Sequence, residues 1–184
     1  MSTSRIAPLE PPYAPEIEQA FQRIMPPGMA PLKLFRTQAH NSRVLQRVFA
    51  GNLLDKGSIS LRERELVILR TCARCGSEYE WGVHVALFAA RAGLTQADIA
   101  ATLLPDPGRT ELPDREIILL RAVDELHDTS GITDASWQGL AQHYDQTQIL
   151  EIITLCGSYH TISFVTNAAR VELEDFAPRF AQYR

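Results

Sequence analysis

Glu65, Cys72, Cys75, Ser77, Glu80 and His84 crowd into residues 61–91, LRERELVILRTCARCGSEYEWGVHVALFAAR. On a helix beginning near Ser77, the i, i+3, i+7 spacing sets Ser77, Glu80 and His84 on one face. Glu80 and His84 are also an i, i+4 pair, in which the carboxylate raises the imidazole pKa and orients the ring. Ser77 falls at the helix N-terminus, where free N–H groups favour an anion. Glu65 lies on the preceding helix, and an antiparallel return brings it towards the same face. A carboxylate, an imidazole and an anion-binding helix end suit proton transfer on a small acidic or carbonyl substrate. The candidate catalytic residues are therefore Glu65, Glu80 and His84. Ser77, Tyr79 and Trp81 are candidate substrate contacts, with Phe88 a further wall. A plainer assignment of the same residues is a capping box at Ser77 and Glu80, a surface pair at Glu80 and His84, and an ion pair at Glu65.

Cys72-Ala73-Arg74-Cys75 has redox spacing, and Cys72 with Cys75 form the alternative, thiol-based site. Redox cysteines usually open a helix, where the dipole lowers the thiol pKa. This pair closes one, with Arg70 and Arg74 only partly offsetting the dipole. Cys156 sits in an apolar helix as a small hydrophobe. The cysteines and His84 lack a four-ligand zinc spacing, so no metal is expected.

The elements that position these residues are all helical. Pro15 opens a helix through Ile24, stopped by Pro26-Pro27-Gly28. Short helices are expected over residues 32–39 and 42–54, the second capped by Ser42. Ser60-Leu61-Arg62-Glu63 is a capping box that starts the first central helix, and Gly76 breaks it. The next helix runs from Ser77 to Arg91, with Gly93 at its C′ position. Thr95 opens a short helix to Leu104. Further helices are expected from Pro113 to Asp128, from Thr133 to His143 and from Thr147 to Ala169, the last bent near Gly157. Period-two alternation and hairpin turns are missing. RELVILR at residues 64–70 is echoed by REIILLR at residues 115–121, an internal helical repeat whose second copy lacks the polar cluster.

At 184 residues the expectation is a proline-bearing extended arm over residues 1–14 and a single all-α domain over residues 15–184. A net charge of −4 and a pI near 5.7 disfavour nucleic-acid binding. No apolar run spans a bilayer, because Glu151 and His160 interrupt the best one, and the N-terminus has no secretory h-region. Three cysteines in a chain of this size suit a reducing cytoplasm.

RERELVILRTCARCGSEYEWGVH resembles the carboxymuconolactone decarboxylase superfamily, which includes the alkylhydroperoxidase D (AhpD)-like proteins. DREIILLRAVDEL and LCGSYHTISFVTNAA extend the resemblance over residues 12–180. In the peroxidase branch a glutamate precedes a Cys-x-x-Cys and a histidine. On this chain those positions fall on Glu65, on Ser77 and Glu80, and on His84, so the proton-relay ends are kept and the two redox positions hold no thiol. The decarboxylase branch does not need the thiols. The resemblance thus implies an AhpD-like helical fold and a cofactor-free decarboxylase acting on a carboxylated lactone or related acid. AhpD-like peroxidase activity and a non-catalytic ligand-binding protein are the alternatives. It also implies assembly as a dimer, trimer or hexamer.

Overall fold

The structure is a computed structural model that describes residues 4–51 and 53–184. The first three residues of the arm, and Asn52 within the expected third helix, lie outside the described residues. The described elements are α1 (Pro15–Ile24), α2 (Lys33–Gln38), α3 (Ser42–Ala50), α4 (Leu61–Arg74), α5 (Glu78–His84), α6 (Gln96–Ala101), α7 (Asp114–Thr129), α8 (Asp134–Ala141) and α9 (Gln146–Ala169). No strand occurs among the described residues. The chain is all-α.

The core is a layer in which α4 packs against both α7 and α9. Leu66, Val67, Ile68 and Leu69 of α4 are fully buried, so this helix has neighbours on nearly every side. Polar residues pin it in place. Arg70, itself buried, makes a two-pronged contact with Asp124 of α7 and donates to the carbonyls of Thr102 and Leu104. Arg62–Glu116, Arg70–Asp124 and Arg74–Asp128 all join residues 54 positions apart. A constant offset means that α4 and α7 run parallel. The two halves of the repeat therefore lie side by side, and Glu116, the echo of Glu65, serves as an ion-pair partner of Arg62.

Several boundaries follow from local chemistry. Ser60 and Glu63 form the expected capping box, as do Thr95 and Asp98. The cap of α3 is Asn41, which accepts from the Val44 N–H, and Ser42 is already helical. α3 ends at Ala50, short of residue 54. α9 continues unbroken through Gly157. It is long and apolar enough to cross a membrane by length and composition alone, yet Ile149, Ile152, Leu155 and Tyr159 are buried in the core. Residues 4–14 are extended and lie on their own chain: Arg5 donates to the Ala169 carbonyl, and Leu9 to that of Arg36.

The helix expected from Ser77 to Arg91 changes pitch midway. After His84 the turn Val85–Ala89 is π-helical. Bonding from i to i+5 widens this turn and sets residue i+4 more directly over residue i. Phe88 consequently stacks on His84, with ring centroids 4.9 Å apart and planes 27° apart.

Candidate active site

α4 carries Glu65, and the Gly76 turn (φ 64°) reverses the chain so that α5 carries His84 back to it. The His84 Nδ1–H donates to Glu65 Oε2 at 2.7 Å. The other Glu65 oxygen, Oε1, accepts from the Arg64 guanidinium at 3.0 and 3.1 Å. Both oxygens of a fully buried carboxylate are thus satisfied, as such a group requires. On the far side of the ring, His84 Nε2 meets the Tyr159 hydroxyl at 2.9 Å. Glu80 Oε1 lies 3.6 Å from the same nitrogen, an ion-pair distance rather than a hydrogen bond. Its second oxygen, Oε2, is buried without a hydrogen-bond partner among the described residues.

These contacts set the protonation state. Burial pushes the His84 pKa down, but the Glu65 charge and hydrogen bond, reinforced by Glu80, outweigh it and leave it at about 9. At neutral pH the ring is therefore an imidazolium, donating from Nδ1 to Glu65 and from Nε2 to the Tyr159 oxygen. Tyr159 then keeps its own O–H free to donate onward. Burial, then the carboxylates of Glu80 and Glu65, hold that phenol well above its ordinary range. Carboxylate, imidazolium and phenol form one chain across α4, α5 and α9, with His84 only 3% exposed.

A cavity of about 300 Å³ is lined by Arg64, which donates to Glu65, and by Phe88, which stacks on His84. Lys56 and Arg91 add positive charge to its wall, with Asp55 and Glu151 opposing them. Glu151 is occupied by Ser58, which donates to it from both its backbone N–H and its hydroxyl.

The expected substrate contacts are placed differently. Ser77 makes no side-chain cap to α5. Its backbone ψ of 77° turns the fully buried hydroxyl to Thr166 of α9, at 2.8 Å. The expected capping box with Glu80 is not formed, which leaves Glu80 free to approach His84. Tyr79 accepts from the Leu34 N–H and donates to Glu174, tying α5 to α2 and the C-terminal segment. Trp81 is fully buried, donates to Thr102 and packs edge-on against Phe180 and Tyr183. All three build the fold around the site. Tyr159 is the member that spacing could not locate, because it joins from 75 residues away. The only hint was a Tyr-His pair inside an apolar helix.

Both cysteines of the alternative site are free thiols. Cys72 is fully buried, and burial, with Glu80 and Cys75 nearby, holds its thiol well above the ordinary range. Burial also raises Cys75. Neither environment favours the thiolate that peroxide chemistry needs.

Fold and site together define an all-helical protein with a buried carboxylate–imidazole–phenol chain between its helices. Residues 42–106 match the model of the Carboxymuconolactone decarboxylase family. No curated protein matches the chain significantly. Among solved structures, the chain is similar to an uncharacterized peroxidase-related protein from Silicibacter sp. TM1040 (TM-score 0.76, 18% identity, 100% of this chain and 99% of that one). It is also similar to an alkylhydroperoxidase AhpD core protein from Ralstonia eutropha JMP134 (TM-score 0.79, 18% identity, 92% and 93%). A third is the debrominase Bmp8, in a complex of a cysteine-to-alanine variant with 2,3,4-tribromopyrrole (TM-score 0.76, 15% identity, 95% and 94%). Residues 42–106 are thus similar to the carboxymuconolactone decarboxylase family, and the chain has an AhpD-like fold.

Proposed function

We propose that the protein is a cofactor-free acid–base enzyme that decarboxylates a small carboxylated lactone or related acid. The observation that carries this reading is the continuous Glu65–His84–Tyr159 hydrogen-bonded chain, with His84 held protonated at neutral pH. In the reaction the bond to the substrate carboxylate breaks and CO₂ leaves. The electron pair stays on a carbon conjugated to a carbonyl, and that carbon takes a proton from Tyr159 or His84. His84 regains its proton from solvent, so one proton is consumed per CO₂ released. Arg64, Lys56 and Arg91 attract the substrate anion into the cavity, and rotation of Phe88 opens the way to His84. Glu65 holds the ring, and Glu80, with one oxygen unpaired, faces the ring from its other side.

The test is turnover of a panel of carboxylated lactones alongside hydroperoxides. His84→Ala is expected to lower lactone turnover by about 10²–10⁴-fold, as loss of a general acid does. Tyr159→Phe is expected to cost on the order of tenfold, one hydrogen bond's worth. Hydroperoxide turnover that depends on Cys72 or Cys75, with no lactone turned over, would replace this reading with a thiol peroxidase.

A second reading is favoured by the near-complete burial of His84: a non-catalytic oligomeric ligand-binding protein in which the pair only clamps α4 to α5. On that reading, His84 variants change stability and leave ligand affinity unchanged.

We also propose that the chain works as a homo-oligomer. Support comes from one face of α9, where Leu150, Thr154, Gly157, Thr161 and Phe164 recur at helical spacing, all exposed and none charged. Leu150 and Phe164 are about two-thirds exposed.

A further inference from the structure

The acid–base site makes no use of a second polar cluster. Cys75 caps the C-terminus of α4, His127 lies in the last turn of α7 and His160 sits midway along α9. Cys75 Sγ is 3.7 Å from His127 Nδ1, which is 3.0 Å from His160 Nε2. The three donor atoms all lie within 4.8 Å of one another. A tetrahedral ion bound at ~2.3 Å to sulfur and ~2.0–2.1 Å to nitrogen spaces its donors about 3.3–3.6 Å apart. The Cys75–His127 and His127–His160 pairs already have that spacing to within a few tenths of an ångström, and the third pair lies within 4.8 Å.

Ring orientation is an independent observation. His160 Nδ1 is 2.9 Å from the Cys156 carbonyl oxygen, one turn earlier on α9. A carbonyl only accepts, so the ring proton is on Nδ1 and Nε2 turns a lone pair towards His127. A backbone carbonyl anchoring the far nitrogen is the usual second partner of a metal-bound imidazole. The frame is also fixed. Asn167 donates to the Cys75 carbonyl at 2.8 Å. Arg74 ties the end of α4 to Asp124 and Asp128 of α7, and those carboxylates offset its charge beside the cluster. Each of the three residues is half-buried, so an ion can reach the donors.

We propose that Cys75, His127 and His160 bind a borderline-soft divalent transition-metal ion, with Zn²⁺ the best match to one thiolate and two imidazoles. Three protein ligands leave a fourth position for water or an exogenous donor. A cavity of about 330 Å³ beside His160, walled by Leu126, Cys156 and Phe164, offers room for one. On binding, the Cys75 thiol releases its proton to solvent, and His127 carries its proton on Nε2, freeing Nδ1 for the ion. One proton is released per ion bound. The ligands lie 52 and 33 residues apart, too far for a spacing motif to reveal them. The site is independent of the proposed decarboxylation.

The test is titration of the full-length, reduced protein with Co²⁺, followed by Zn²⁺ competition. The expected result is one Co²⁺ per chain, a sulfur-to-cobalt charge-transfer absorption in the near ultraviolet and four-coordinate d–d bands, all abolished by Zn²⁺. Cys75→Ser is expected to remove the charge-transfer absorption. His160→Ala is expected to weaken binding by at least about 100-fold, since loss of an outer partner alone costs 10–100-fold. Cys156→Ala, which alters a thiol on the Nδ1 side of His160, keeps both signals. Wild-type protein, folded by circular dichroism, that shows no charge-transfer absorption at millimolar Co²⁺ would overturn the proposal. So would an absorption that survives Cys75→Ser.

Discussion

At the scale of single residues, His84 ties stability to pH. Its folded pKa of about 9 lies above the unfolded value of 6.5. The stabilisation is therefore complete below pH 6.5 and is lost as pH rises through 9, with a full size on the order of 3 kcal/mol. Urea denaturation across pH 6 to 10 should show wild type losing stability over that window, while His84→Gln loses much less. Glu65→Gln should bring the His84 pKa down, read directly by NMR titration of the ring. The sequence disclosed Glu65, Glu80 and His84 as a group because two of them share a helix and the third lies one turn-reversal away. It could not disclose Tyr159, or show that Ser77 turns to Thr166, because both facts depend on where α9 lies. Tyr79 and Trp81 have residue types that suit a pocket or a core equally, and only packing distinguished them.

At the scale of elements, two glycines make opposite forecasts. A Cβ on Gly82 of α5 would stand 2.5 Å from the Pro178 carbonyl oxygen, a backbone atom. Gly82→Ala must therefore push the C-terminal segment off α5, at a cost of about 1–3 kcal/mol in thermal or chemical denaturation. A Cβ on Gly157 of α9 meets nothing within 4 Å. Gly157→Ala should stabilise the isolated subunit by about 0.5–1 kcal/mol, the helix-propensity difference. Helix existence was readable from capping boxes and apolar periodicity, and the Ser60 and Thr95 caps stand as the sequence indicates. The π-turn after His84 was not readable, because Val85–Ala89 has ordinary helix-forming residues.

At the scale of the whole molecule, the uncharged α9 face sets an expectation for assembly. If a second copy packs there, Gly157 is small because another helix approaches it closely, and the same Gly157→Ala change should weaken association while strengthening the subunit. Phe164→Glu should shift light scattering towards monomer with the helical signal intact. A mass unchanged by both variants would place the contact elsewhere.

The parallel ladder between α4 and α7 also bears on how the chain avoids confusing its own two copies. Segments as alike as residues 64–70 and 115–121 compete for the same slot while the chain condenses. Suppose they exchanged seats. The rung of Arg62 with Glu116 would become Pro113 with Glu65, that of Arg70 with Asp124 would become Arg121 with Ala73, and that of Arg74 with Asp128 would become Glu125 with Ser77. Every rung would be lost, and Arg121 would replace Arg70 without its acid. The ladder thus discriminates between near-twins as well as joining them. Reversing one rung, Arg70→Asp, should lower refolding yield more than it lowers the unfolding rate barrier, and adding Asp124→Arg should recover part of that yield.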